Sequence, residues 1–247
     1  MKSKISLLLS ALFVADHNCI VCDRELPEPS RYRLCHSCYV TFEVIGGHCC
    51  LKCGKMLLSE EDYCLDCQNH EKHFDRAFSP VAYVGSAATL VQNLKFHNKR
   101  YLAEPMARLM TDRFLEEEIA VDEVIPVPLH PNRIKERGYN QSELLASVIA
   151  EGLHLPLNVT SVIRAKDTLA STGLEGRTAR ENNMKDAFRV VDPSAVKDKT
   201  LLVVDDVITT GTTSSVLANA LKKAGARKVY VLTFASTKER EPLQDDY

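Results

Sequence analysis

The segment LLVVDDVITTGTT, residues 201–213, constrains the fold more than any other stretch of this 247-residue chain. Residues 201–204 form a continuous apolar run suited to a strand buried on both faces, and Asp205 and Asp206 fall where it ends. Thr209, Thr210, Gly211, Thr212 and Thr213 then open a helix whose apolar face is Val216, Leu217, Ala220, Leu221 and Ala224, with Gly225 as its cap. Such a turn gathers free backbone N–H groups, threonine hydroxyls and the positive end of a helix at one point, which is what an anionic phosphate requires. Gly211 lets the backbone approach closely. Two carboxylates beside that point would accept hydrogen bonds from the 2- and 3-hydroxyls of a ribose, charge-assisted contacts worth about 1.5–3 kcal/mol each. The seat therefore predicts a ribose 5-phosphate, in the form of phosphoribosyl pyrophosphate. A plain threonine-capped helix after an acidic strand end is the rival explanation, and it gives the paired acids no task. The loop lacks Lys and is poor in Gly, which argues against a P-loop, and no Gly-x-Gly-x-x-Gly supports a dinucleotide site.

Strand-like and helical patterns alternate from Ala77 onward, with apolar runs at residues 79–84, 123–127, 200–204 and 229–234. Between them Leu102, Met106, Ala107, Leu109 and Met110 recur at helical spacing within residues 100–118, and Leu144, Leu145, Val148 and Ile149 do so after Asn140. This predicts an α/β fold with a parallel sheet covered on both faces, whose ligands collect beyond the C-terminal strand ends. All nine cysteines precede residue 75, so the chain reads as two unequal domains, 1–75 and 76–247, with the core expected after residue 75. A net charge of −2 with scattered basic residues predicts no strong non-specific binding to nucleic acid.

The cysteines form four pairs of one spacing: Cys19 with Cys22, Cys35 with Cys38, Cys50 with Cys53, and Cys64 with Cys67. A two-residue gap lets both thiolates of a tight turn face one ion, and tetrahedral zinc needs two such turns. Eight ligands make two closed structural sites, arranged as successive ribbons or cross-braced. Zinc would contribute on the order of 10–16 kcal/mol of binding free energy to a region too short to fold on its own core. Disulfides are the rival, and they need an oxidising compartment. The N-terminus sets Lys2 and Lys4 before ISLLLSALFV, but the run is short, lacks a small-x-small cleavage site and is followed by Asp16 and His17. It reads as an amphipathic helix on the cysteine region. With no other segment long enough to span a membrane, a cytoplasmic protein is expected. Cys49 is left without a role.

At these residues the chain resembles the type I phosphoribosyltransferases, whose signature is four apolar residues, two acids, two apolar residues and a Thr/Gly phosphate loop. The cysteine pairs, PVPLHPNRIKERGYNQS at residues 126–142 and RTARENNMKDAF at residues 177–188 extend the resemblance to the ComF family across nearly the whole chain. The resemblance implies a double zinc ribbon joined to a parallel-sheet phosphoribosyltransferase domain that binds phosphoribosyl pyrophosphate with Mg²⁺. It also implies relatives tied to DNA uptake or DNA utilisation. By position, Asp205 and Asp206 match the acids that hold ribose and its metal, and Thr209 to Thr213 match the 5-phosphate loop. Arg133, Arg137, Asn140 and Gln141 match a basic motif that could face pyrophosphate, with a salt-bridged surface helix start as the alternative. Lys95, Arg164 and Thr168 also match, and the stretch STGLEG at residues 171–176 would be a mobile loop closing over substrate. Ser171 stands where relatives commonly carry Gln.

Read as an enzyme, the chain would transfer a phosphoribosyl group to a nitrogen nucleophile. Thr209 occupies a loop position where an acid would better deprotonate a purine ring, so purine salvage is disfavoured. Read as a binding module, it would sense phosphoribosyl pyrophosphate while holding single-stranded DNA or DNA-uptake proteins. Residues 1–75 carry eight Lys or Arg against eleven Asp or Glu, so any DNA footprint should rest on the second domain.

Overall fold

The structure, a computed structural model, describes residues 17–168, 184 and 186–239. The expected helix at residues 1–14, the stretch 171–176 and most of the segment 177–188 lie outside the described residues. Two nine-residue strands make the centre: β6 (Thr200–Ile208) and β7 (Lys228–Ser236), paired parallel from Thr200 opposite Lys228 to Ile208 opposite Ser236. β3 (Glu123–Pro126) flanks β6, while β1 (Arg76–Phe78) and β2 (Val81–Ala82) flank β7, all parallel. A small antiparallel pair, β4 (Val162–Arg164) and β5 (Phe188–Val190), stands apart from the main sheet.

The continuous apolar run of β6 is explained by its two covered faces. Leu202, Val204, Leu232 and Phe234 point into one apolar cluster, which also takes residues of α3 (Gly85–Phe96), α4 (Ala103–Leu115) and α6 (Gln141–Leu153). Leu201, Val203, Val229 and Val231 point into the other, under α7 (Thr212–Lys223). A short helix, α5 (Pro131–Arg137), begins with proline at its first turn and ends at Gly138, whose φ of 80° is left-handed. The second cysteine pair of each set starts a helical turn, α1 (His36–Tyr39) after Cys35 and α2 (Leu65–Asn69) after Cys64.

Several expectations need correction. The core does not lie only after residue 75: Cys19, Ile20, Leu26, Leu34 and Phe42 join the first cluster, and Cys50, Cys53, Cys64 and Phe74 join the second. The ribbon region is small, so its apolar surface is buried against both faces of the sheet. The strand expected at residues 79–84 is broken, because Pro80 has no N–H for the ladder. There the Ser79 and Thr233 hydroxyls lie 2.7 Å apart instead. The helix expected over residues 100–118 is a 3-10 turn at Arg100–Leu102 followed by α4. Finally, β6 does not end at Val204 but continues through the acid pair to Ile208, because its partner β7 is equally long.

Candidate functional site

Burial of β6 takes Asp205 and Asp206 out of water with it, leaving them 9% and 2% exposed. Asp205 Oδ1 accepts from the Ser142 hydroxyl at 2.7 Å and from the Asp206 N–H at 2.9 Å. Asp206 Oδ1 is paired with Lys95 Nζ at 2.8 Å, whereas Asp206 Oδ2 is buried without a partner. Desolvation, reinforced by Asp206, pushes the Asp205 carboxyl up to about 6. Burial opposes the Lys95 ammonium, but Asp206 and Asp205 together raise it above its ordinary value. One cation thus faces two carboxylates, and an oxygen that wants a donor or a cation is left over.

Past Ile208 the chain leaves the sheet and enters α7 through Gly211, whose φ is 70°. A Cβ there would meet the Phe74 ring at 3.4 Å, so glycine serves both the left-handed turn and the close packing behind it. Among the described residues, no acceptor takes the backbone N–H groups of residues 209–213. The first N–H groups of any helix lack partners within it, and here the residues that precede it are open as well. The Thr210 and Thr212 hydroxyls lie 2.9 Å apart beside them. The helix opens at Thr212, later than the sequence suggests, so Thr209 and Thr210 belong to the turn.

Asp205, Asp206, Thr209 and Thr213 share a cleft of about 330 Å³ with Lys95, Arg133, Arg137 and Arg164. Thr210, Gly211 and Thr212 complete the turn but do not line that cleft. Arg137 donates to Gln141 and lies 5.3 Å from the centroid of the Phe96 ring. Arg164 donates to Thr168 and lies 5.5 Å from the Phe188 ring centroid. Burial lowers both guanidinium groups from their ordinary value, opposed in part by Asp205. Arg133 reaches the same cleft while pairing with Glu136 at 2.9 Å along the exposed side of α5. Asn140 sits outside it: its side chain caps α6 by accepting from the Ser142 N–H at 3.1 Å and donates to the Val127 carbonyl at 3.1 Å.

Sequence reasoning passes over Ser142, Phe96 and His130. Ser142 follows the Asn140–Gln141 pair and Phe96 follows Lys95, but only the packing of α6 and α3 on the sheet brings one to Asp205 and the other to Arg137.

The eight paired cysteines gather in two sets of four, Cys19 with Cys22, Cys35 and Cys38, and Cys50 with Cys53, Cys64 and Cys67. Within each set all sulfurs lie within 4.8 Å of one another, so successive ribbons, not a cross-brace, describe the pairing. Among the described residues each set is four sulfurs with no fifth His, Asp or Glu, and the two sets fit two closed structural zinc ions. Cys49 belongs to neither set.

Residues 8–68 match the double zinc ribbon domain family, and residues 140–247 match the phosphoribosyl transferase domain family. The chain is 31% identical to competence protein F of Haemophilus influenzae over 189 residues, 74% of this chain and 82% of that one. It is 30% identical to DNA utilization protein YhgH of Salmonella typhi over 224 residues, 89% and 90% of the two chains. Among solved structures it is similar to glutamine phosphoribosylpyrophosphate amidotransferase from B. subtilis, 23% identical with a TM-score of 0.37 over 57% of this chain and 30% of that one. A ribbon followed by a transferase domain, shared with relatives along most of both chains, settles the family: the chain belongs to the ComF family of competence and DNA-utilization proteins.

Proposed function

We propose that this protein binds phosphoribosyl pyrophosphate with Mg²⁺ and transfers the phosphoribosyl group to a nitrogen nucleophile, releasing pyrophosphate. The observation that carries the reading is the run of unpaired N–H groups at residues 209–213 beside a buried carboxylate oxygen with no partner. In this reading the N–H groups and the threonine hydroxyls receive the 5-phosphate. The carboxylates of Asp205 and Asp206 accept from the ribose hydroxyls, and their charge stabilises the positive character that grows on the ring as the bond from C1 to pyrophosphate breaks and the bond to nitrogen forms. Arg137, Arg164, Arg133 and Lys95 face the departing pyrophosphate. Lys95 then exchanges part of its contact with Asp206 for phosphate oxygen.

The donor set fits a hard divalent cation, since the free Asp206 oxygen suits oxygen coordination. Mg²⁺, when bound, neutralises charge on the leaving pyrophosphate. No acid stands at Thr209, so a purine ring would find no base in the loop, and an acceptor that arrives as a free amine suits the site better. Thiolates that hold metal at two sites favour a reducing compartment, and we place the protein in the cytoplasm. Among the described residues, no helix is long and apolar enough to cross a membrane.

Pyrophosphate release, measured with magnesium, phosphoribosyl pyrophosphate and a panel of amines and bases, tests the reaction. Release with at least one acceptor, abolished by Asp206→Asn, is expected. Binding without release across the panel would favour a sensor that does not turn its ligand over. One observation supports a nucleic-acid partner for such a sensor: Phe96 and Tyr101 are exposed at 66% and 53%, with the Arg137 guanidinium over the Phe96 ring and the Arg33 guanidinium over the Tyr101 ring, an aromatic and basic pairing that suits single-stranded DNA. That reading requires affinity for oligonucleotides to fall steeply with salt and to weaken in Phe96→Ala.

A further inference from the structure

The proposed 5-phosphate seat does not stand on the transferase domain alone. Behind it lies the second cysteine cluster, joined to the loop by three kinds of contact. Lys72, whose side chain is 1% exposed, donates from Nζ to the Thr210 carbonyl at 2.6 Å and to Asp66 Oδ2 at 3.0 Å. Asp66 lies in α2, between the ligands Cys64 and Cys67. The His73 N–H donates to the Ser215 hydroxyl in the first turn of α7 at 3.0 Å, and the Phe74 ring fills the space behind Gly211. On the far side, the Leu58 and Leu65 N–H groups donate to the Glu239 carboxylate at 3.1 and 3.3 Å, just beyond β7. Thr237, between β7 and Glu239, donates from its N–H to the Ile208 carbonyl at 3.1 Å.

We infer that Lys72 is a positioning residue for the 5-phosphate: held by Asp66 between the ligands Cys64 and Cys67, it grips the Thr210 carbonyl so that the loop's N–H groups stay free for the anion. The chemistry is direct. A peptide plane whose carbonyl is pinned on one side presents the N–H of the next residue, Gly211, to the other. An ammonium buried between a carboxylate and a carbonyl is costly to move, because any displacement leaves a desolvated charge unpaired. The position of Asp66 is in turn set by the flanking cysteines, so metal at Cys50, Cys53, Cys64 and Cys67 stiffens the phosphate seat although no ligand atom touches it. The inference rests on the phosphoribosyl reading of the cleft, and it adds a second part of the chain to that site.

The test uses the full chain with its zinc and the variant Lys72→Met, which keeps the apolar stem and removes the ammonium. Ribose 5-phosphate and inorganic pyrophosphate are titrated separately by calorimetry, and amide exchange is followed at Ser215, whose N–H donates to the Gly211 carbonyl at 2.8 Å. We expect ribose 5-phosphate affinity to fall roughly tenfold or more, with pyrophosphate affinity and zinc content held. Exchange at Ser215 should quicken by a similar factor. Equal loss for both ligands, or unchanged exchange, overturns the inference, since a merely structural lysine would spare the loop or weaken everything alike. If the wild-type protein takes neither ligand, the phosphoribosyl reading fails, and exchange at Ser215 still decides whether Lys72 holds the loop. Should Lys72→Met not fold, Asp66→Asn relaxes the same grip with a smaller change, and the same outcomes apply.

Discussion

The two cysteine clusters have the same ligands and the same gap within each pair, yet they meet the sheet on opposite faces. The first adds Cys19 to the apolar cluster shared by α3, α4 and α6, with Cys22 exposed and Cys35 and Cys38 half-buried. The second adds Cys50, Cys53 and Cys64, all buried, to the cluster under α7, next to the turn that carries the free N–H groups. The first is attached through the buried side chains of Ile20, Leu26 and Leu34 and through Asp112 of α4, which accepts from both Arg31 and Tyr32. The second is attached by backbone: the Ala77 N–H donates to the Lys52 carbonyl at 2.8 Å, and Gly54 packs on β1. The same kind of zinc site therefore completes an apolar core on one face and forms part of the wall behind an anion seat on the other. What differs is the packing, not the coordination chemistry.

The largest expected effect separates the clusters by metal loss. Cys53→Ser and Cys22→Ser should each lower the zinc content from about two ions per chain to about one. Each variant gives up a zinc contribution on the order of 10–16 kcal/mol, but the Cys53 variant should lose more phosphoribosyl pyrophosphate affinity, because the second site backs the phosphate turn. Equal losses by calorimetry would erase the distinction. Next comes Gly54→Ala. Its φ is 68° and an added Cβ would lie 2.5 Å from the Ala77 carbonyl oxygen, so unfolding in urea should show a loss of about 2–4 kcal/mol. A cost near zero would mean that the second knuckle is not docked as described.

A third expectation concerns pH. The Asp205 carboxyl, raised to about 6 by burial and by Asp206, binds its proton more tightly in the folded than in the unfolded chain. Its contribution to stability is therefore complete below the ordinary carboxyl pKa, about 3.9, and is lost as pH rises through about 6. Asp205→Asn should stabilise the protein at pH 8 by about 1–3 kcal/mol and make little difference at pH 3.5, by denaturant titration at both values. The reverse order would contradict the burial of an excess charge. The smallest effect belongs to the first cluster: Asp112→Asn weakens the contacts of Arg31 and Tyr32 with α4 and should cost about 1 kcal/mol. A loss several times larger would show that the first ribbon is docked as firmly as the second.

Much of this architecture is legible in the sequence where the cause is local. The apolar run at residues 201–204, the acids after it and the Thr/Gly turn carry their own periodicity and conformational demands, and the cysteine spacing dictates knuckles. Longer-range features are not legible. That β6 continues to Ile208 depends on the length of β7, and that the strand near Pro80 breaks depends on where its neighbour needs an N–H. Ser142 reaches Asp205 across 63 positions of sequence, and Lys72 reaches Thr210 across 138. No periodicity connects such pairs. The ribbons read as a separate unit because all nine cysteines precede residue 75, while their apolar residues complete both cores only once the chain is folded.

A diffraction map of crystals grown with phosphoribosyl pyrophosphate and Mg²⁺ would show whether the turn after β6 is an anion seat. The 5-phosphate should lie within hydrogen-bonding distance of the N–H groups of residues 209–213, with the ribose hydroxyls on Asp205 and Asp206. Density for the ligand elsewhere, or a loop whose N–H groups have turned onto the protein's own oxygens in its presence, would contradict that placement.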